Sequence, residues 1–310
     1  MKLIYKEIEY KKLGKCLEIS NGYLTLIATL DIGPRIISFT QKNDKNIFFE
    51  DINNTVTEQG TFFDETYGKG TMWKIYGGHR LWSSPQNMQS YYPDNDPIRY
   101  QATNHSVLLI QDVQKSTNLQ LEMEISFTEK NQVKVHHKIT NTDAKEKTLS
   151  PWALTVLEKN GLEIVPLPKE QTGLVPQRFI SVWDFGAKAN DERLYFGDKF
   201  FTMKHDTLKN IPIKIGLKVS DNWAAYLVQG QLFIKRFKYD STYVYPDNNV
   251  NFETYENNLF LELETLGELK TLGKGDSVEH TEYWSLYVVD SEISNNKDEE
   301  MISEIMKKYL

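Results

Sequence analysis

Cysteine is almost absent: Cys16 stands alone in 310 residues, which excludes an intramolecular disulfide and any zinc cage built on cysteines. With no base-orienting motif around it, Cys16 reads as a small, partly buried residue rather than a nucleophile. Nowhere does the chain reach the roughly 18 consecutive apolar residues of a membrane span. Charges at Lys2, Lys6 and Glu7 interrupt the first residues before an apolar stretch of signal-peptide length can form. The expectation is a cytoplasmic chain with no membrane partner. Basic residues are also in deficit, with 36 Lys and Arg against 43 Asp and Glu for a formal charge of −7. A nucleic-acid backbone demands clustered Lys and Arg, so nucleic acid is not an expected partner. Helical periodicity is scarce, and no internal repeat or linker divides the chain.

What is abundant is aromatic: 17 Tyr, 15 Phe and 6 Trp, which suit pleated, half-buried surfaces. Period-two alternation recurs. Leu119, Leu121, Met123, Ile125 and Phe127 share one face, and after Asn131 so do Val133, Val135, His137 and Ile139, which together predict a hairpin. Leu232 to Phe237, Leu259 to Leu263 and Val278 to Val288 alternate as well. Turns are marked by Asn141-Thr142-Asp143 and Asp247-Asn248-Asn249. From about Glu292, Met301, Ile302, Ile305, Met306 and Tyr309 fall at helical spacing, which predicts one late helix lying over a sheet face or edge. Thr55 to Pro97 breaks the rhythm and reads as a long irregular connection of the kind that carries function. The fold class expected is all-β: one large antiparallel β-sandwich over residues 1–310 with a short C-terminal helix.

Several polar residues stand out. Glu262 and Glu264 lie two apart on a strand and so share a face, roughly 6.5–7 Å apart. That face is either solvated or the floor of a cleft. A glycosidase pair would flank its substrate from opposing sides, which two neighbours on one strand do not do. His79 follows Gly77-Gly78 and precedes Arg80 and Trp82. It is either an exposed loop histidine or a proton donor suited to neutral pH. Lys235 shares a face with Phe233 and Phe237, as an edge-strand charge or a cleft cation. Arg35, after Pro34, reads as a solvated turn residue or a substrate contact. His137 is in register with a core face, whereas His136 faces the polar side. His105, His205 and His280 stand apart with no ligand-spaced partner, so no metal motif is found. Trp183-Asp184-Phe185 and Asp191-Glu192-Arg193 read as turns with a surface salt bridge or as a cleft rim.

Three segments, in order over about residues 20 to 290, resemble the galactose mutarotase-like (aldose 1-epimerase) superfamily: Leu30 to Phe39 with Gly33-Pro34, Tyr76-Gly77-Gly78-His79-Arg80-Leu81-Trp82, and Phe260-Leu261-Glu262-Leu263-Glu264-Thr265 followed by Leu272-Gly273-Lys274-Gly275-Asp276. The resemblance implies a supersandwich fold that binds a small carbohydrate as a monomer or homodimer without a cofactor. It implies Glu264 as catalytic base and His79 as candidate acid, with Arg80, Trp82, Glu262, Lys235 and Arg35 around the sugar. One departure stands against it. After Ile139-Thr140-Asn141, Trp152 or Ala153 occupies the place of the superfamily's general-acid histidine. The function implied is interconversion of sugar or sugar-acid anomers. The alternatives are a non-catalytic carbohydrate-binding or regulatory protein on the same fold, and an accessory sandwich in an oligomer without a small ligand.

Overall fold

The computed structural model describes every residue except Met1, Asn43, Ala187, Ala189, Ser291, Glu292 and Ser294. Two large antiparallel sheets dominate it. In the eleven-stranded sheet the order is Ile4–Glu9, Lys15–Ser20, Leu24–Thr29, Ile36–Gln41, Gly78–Ser84, Lys147–Leu157, Leu261–Leu266, Phe252–Glu256, Ile213–Leu217 and Ile180–Val182, with Lys270–Leu272 also paired to Lys147–Leu157. The ten-stranded sheet runs from Leu194–Phe196 through Phe200–Lys204, Leu162–Pro166, Trp223–Val228, Gln231–Phe237, Ser277–Val288, Gln132–Asn141, Leu119–Glu129 and Ser106–Ile110 to Arg99–Ala102. The all-β, antiparallel expectation holds.

The predicted hairpin forms as Leu119–Glu129 against Gln132–Asn141, pairing Leu121 with Ile139 and Ile125 with Val135. Burial alternates along both strands, from Leu119 to Thr128 in the first and throughout the second, because one face of each meets the other sheet. Between the sheets, Phe39 packs on Trp284 at 5.8 Å and Phe48 on Phe233 at 6.0 Å, centroid to centroid. Each such side chain, removed from water, contributes about 1.5–3 kcal/mol. The turn read at Asp247-Asn248-Asn249 is real: all three residues adopt positive φ, between 51° and 68°. Asn and Asp tolerate that left-handed region better than other side chains.

The late helix spans Glu299–Met306. Glu292, where the periodicity began, lies outside the described residues. Asp298 caps the helix by accepting from the Met301 N–H, and Ile302, Ile305 and Met306 pack on Ile164, Leu232 and Ile234. The helix therefore covers the outer face of the ten-stranded sheet. Among the described residues no helix is long and apolar enough to cross a membrane.

One expectation needs correction. Thr55 to Pro97 is not wholly irregular, since Gly78–Ser84 within it is a central strand of the larger sheet. Six of its seven residues are buried, so no alternation betrays it. The Gly77-Gly78 pair serves this strand rather than loosening a loop. A Cβ on Gly77 would lie 2.0 Å from the Phe49 carbonyl oxygen, and one on Gly78 would lie 2.3 Å from that of Ile36. Only glycine lets the three backbones approach this closely.

Candidate functional site

Five adjacent strands of the larger sheet build the site: Gly78–Ser84, Lys147–Leu157, Leu261–Leu266, Phe252–Glu256 and Ile213–Leu217. Alternation sends Arg80, Trp82, Trp152, Leu154, Glu262, Glu264, Glu253, Tyr255 and Lys214 to the outer face. There they floor a cleft of about 570 Å³. Trp73 and Tyr91 close one side, and Trp183, Phe185 and Pro212 the other.

The charges interlock. Glu264 and Glu253 stand directly opposite on neighbouring strands. The Lys214 ammonium lies 2.7 Å from Glu253 Oε2 and 3.2 Å from Glu264 Oε2. Trp152 Nε1–H donates to that same Glu264 Oε2 at 2.8 Å, so one carboxylate oxygen is held twice. Arg80 Nη2 lies 3.7 Å from Glu262 Oε1, and its guanidinium stacks 4.0 Å above the Trp82 ring. Among the described residues, none hydrogen-bonds Glu264 Oε1, Glu262 Oε1, Glu253 Oε1, Arg80 Nε and Nη1, or the Trp73 and Trp82 Nε1 atoms. A buried polar group without a partner costs about 1–3 kcal/mol, so this cluster is built to be satisfied from the cleft.

Burial pushes the Glu262 carboxyl up to about 7, with Arg80 opposing and Glu264 reinforcing the shift. Burial raises Glu253 as well, against the pull of Lys214. Burial alone would depress Lys214, but Glu264 and Glu253 outweigh it and keep the ammonium charged well past neutrality.

Of the residues singled out in the sequence, Glu264, Glu262, Arg80 and Trp82 come together here. His79 does not. It alternates with Arg80, so it points between the sheets, where it is fully buried. Lys235 is neither an edge charge nor a cleft cation. Its strand is interior to the ten-stranded sheet, and its ammonium lies 2.9 Å from Glu282 in the core. Arg35 is not solvated, being fully buried against Asp94 at 3.1 Å and over the Tyr76 ring at 5.2 Å, outside the cleft lining. Asp191 and Arg193 do form a salt bridge, and Glu256 joins it, away from the cleft lining. Sequence reasoning missed Lys214 and Glu253. Lys214 sits between Ile213 and Ile215, and a lysine alternating with β-branched residues was the available signal.

Behind the floor lies a second polar cluster. His137 Nδ1 donates to the His280 carbonyl at 3.1 Å, which leaves its Nε2 to accept from His79 Nε2–H at 2.8 Å. His79 Nδ1 then accepts from the Thr155 hydroxyl at 2.8 Å. Glu282 accepts from Lys235, Trp284 and Thr265, and Thr265 in turn accepts from His280. Contrary to the reading that His280 stands apart, it belongs to this group. Burial depresses all three histidines, His137 to about 3 and His280 to about 4. His79, His137 and Glu282 are close enough to hold a metal ion. Yet hydrogen bonds already engage their facing nitrogens, and the Lys235 ammonium already neutralises the carboxylate. The cluster fits its own protons better than an ion.

No protein-family model matches the chain, and no curated protein matches its sequence. Solved structures do match its shape. A galactose mutarotase-like protein from Lactobacillus casei superposes with a TM-score of 0.55 at 12% identity, over 88% of this chain and 100% of that one. The fold is that of the galactose mutarotase-like proteins. An aldose epimerase homologue from C. elegans gives a TM-score of 0.52 at 12% identity, over 93% of this chain and 100% of that one. A TPR-domain containing protein from Parabacteroides distasonis gives 0.58 at 13% identity over 90% of this chain, which spans only 48% of that longer protein. At these identities the likeness is one of mutarotase-like fold alone.

Proposed function

We propose that the cleft binds a sugar and interconverts its anomers. The observation that carries this reading is the state of Glu264: one oxygen is fixed by Trp152 and Lys214, while the other is buried, unpartnered and on the cleft face. A carboxylate so oriented suits a general base. Glu264 Oε1 takes the proton of the anomeric hydroxyl. As the C1–O1 bond becomes a carbonyl, the bond from C1 to the ring oxygen breaks, and that oxygen takes a proton from Glu262. Rotation about C1–C2 presents the other face of the carbonyl. Closure reverses both transfers, so each carboxyl recovers its starting state. Glu262 replaces His79 as the acid because burial keeps its proton near neutral pH and because it faces the cleft. Glu253 is the weaker candidate, since it is hydrogen-bonded to the Lys214 ammonium.

The ligand this charge pattern suits is uncharged. Lys214 is held by Glu253 and Glu264, and with Glu58, Asp247 and Glu262 the carboxyl groups of the lining outnumber its cations, Arg80 and Lys214. Among the described residues, a sugar acid or phosphate would meet more carboxyl groups than cations there. Binding without turnover is the second reading, and it is favoured by the same Lys214, whose ammonium ties one oxygen of Glu264 into an ion pair shared with Glu253. A thermal-unfolding screen of aldoses, sugar acids and sugar phosphates tests the site, with each hit followed by NMR for anomer exchange. Stabilisation by neutral aldoses, lost in Arg80→Ala, supports it. No stabilisation by any sugar contradicts it, because saturating ligand at 100 times its Kd adds about 2.7 kcal/mol.

A further inference from the structure

The segment Trp73 to Tyr76 has a cavity on each side of it. Trp73 and Ile75 line the cleft, whereas Lys74 and Tyr76 alternate to the other side and line a second pocket of about 350 Å³. The turn beside it divides in the same way, with Ile52 and Asn54 in the second pocket and Val56 in the cleft. The wall between them is fixed by a two-stranded ribbon, Thr57–Glu58 paired with Trp73–Lys74. It separates cavities of opposite charge. In the cleft the carboxyl groups outnumber the cations. In the second pocket the charged lining groups are Lys12 and Lys74, and among the described residues no carboxyl group lines it. The chain as a whole has a formal charge of −7, so this is a local reversal of sign.

The two ammonium groups are not neutralised. Lys12 Nζ donates to the Asn53 amide oxygen at 2.8 Å, which is a neutral acceptor, and Lys74 Nζ lies 5.7 Å over the Tyr76 ring. Among the described residues no carboxylate forms a salt bridge with either lysine. The same Tyr76 ring carries the buried Arg35 guanidinium at 5.2 Å, which adds positive charge close to the pocket wall. The carboxylates that flank the lining residues are engaged elsewhere or face water. Asp31 accepts from the Lys15 N–H, Asp51 from the N–H groups of Thr55 and Val56, and Asp94 from Arg35 and Gln111, while Asp96 is exposed. Leu13, Ile32 and Ile52 complete the pocket with apolar surface. At the roughly 30 Å³ that each oxygen of liquid water takes up, the space holds about a dozen heavy atoms at most.

We infer that this second pocket binds a small organic dianion, a phosphate monoester or a dicarboxylate, with its charges on Lys12 and Lys74 and its carbon body on Leu13, Ile32 and Ile52. The inference stands on its own lining and does not depend on what the cleft binds.

The test is titration calorimetry on the full chain at fixed ionic strength, with glycerol 3-phosphate, succinate and, as the uncharged control, glycerol. At least one of the two dianions is expected to bind and glycerol is not; which of them binds separates a phosphate from a carboxylate head group. Lys12→Gln and Lys74→Gln are each expected to weaken the dianion by about tenfold, because each removes a charge-assisted hydrogen bond. Lys12 is exposed, so Lys12→Gln leaves the fold intact, and Lys12→Arg is expected to restore binding. Arg80→Ala, on the far side of the wall, is expected to leave dianion affinity unchanged. The inference is overturned if neither dianion binds, or if glycerol binds as tightly as they do. Affinity that survives in both glutamine variants overturns it too, and so does affinity lost in Arg80→Ala, which would put the anion in the cleft.

Discussion

Glu262 and Glu264 lie two residues apart on one strand, yet the structure gives them different work. Glu264 is pinned through one oxygen by the Trp152 indole and the Lys214 ammonium. Glu262 has only a distant Arg80 contact, and burial favours its neutral form. One carboxyl oriented with an unpartnered oxygen toward the cleft, beside another that burial keeps protonated, is what an acid–base pair requires. The pH dependence follows with a definite sign. The acid must carry a proton, so anomer exchange is present below the raised Glu262 value and lost as the pH climbs through about 7. In Glu262→Gln, exchange should drop by about 10²–10⁴-fold and lose that alkaline decline. An unchanged profile in the variant would remove Glu262 from the mechanism. Lys214→Met removes one of the two groups that fix Glu264 Oε2 and should slow anomer exchange with sugar affinity retained. An unchanged rate of exchange would mean that Lys214 does not position the base.

The strand Leu261–Leu266 is fastened from behind as well as from its edges. Lys235 donates to the Leu263 carbonyl at 3.1 Å, and Thr265 joins the Glu282 cluster. Lys235→Met leaves Glu282 buried without its counter-charge and should cost about 3–5 kcal/mol, read from urea unfolding. Adding Glu282→Leu should recover part of that loss. A double variant no more stable than the single one would mean that the ion pair is not what the single change breaks. At the C-terminal helix, Asp298→Ala should cost about 1 kcal/mol by removing the cap on the Met301 N–H, checked by thermal unfolding. Elements of this kind differ in how much they show in sequence. The hairpin around Asn131 is legible because water touches one face of each strand. The strand Gly78–Ser84 is not, because protein covers both of its faces. His79 was misplaced for that reason: once its strand is recognised, alternation with Arg80 and Trp82 puts it in the core.

The two sheets meet over a core of interleaved aromatic and aliphatic residues, and the cleft opens on the outer face of one of them. Alternation, turn residues and the scarcity of helical spacing were sufficient to read the class of fold. The site was half legible. Glu262, Glu264, Arg80 and Trp82 lie on two strands whose local patterns point to one face. Lys214, Glu253 and Trp152 join them only through the order of strands in the sheet, which no local pattern states. Lys235 and Arg35 were misread because a buried cation and a cleft cation look alike until its carboxylate partner is found in space. The measurement that bears most directly on the account is NMR exchange between the α and β anomers of a bound aldose, with wild-type protein and with Glu264→Gln. The account predicts acceleration by the wild type, a loss of about 10²-fold or more in the variant, and sugar affinity retained in both. Equal exchange rates in the two proteins would contradict it.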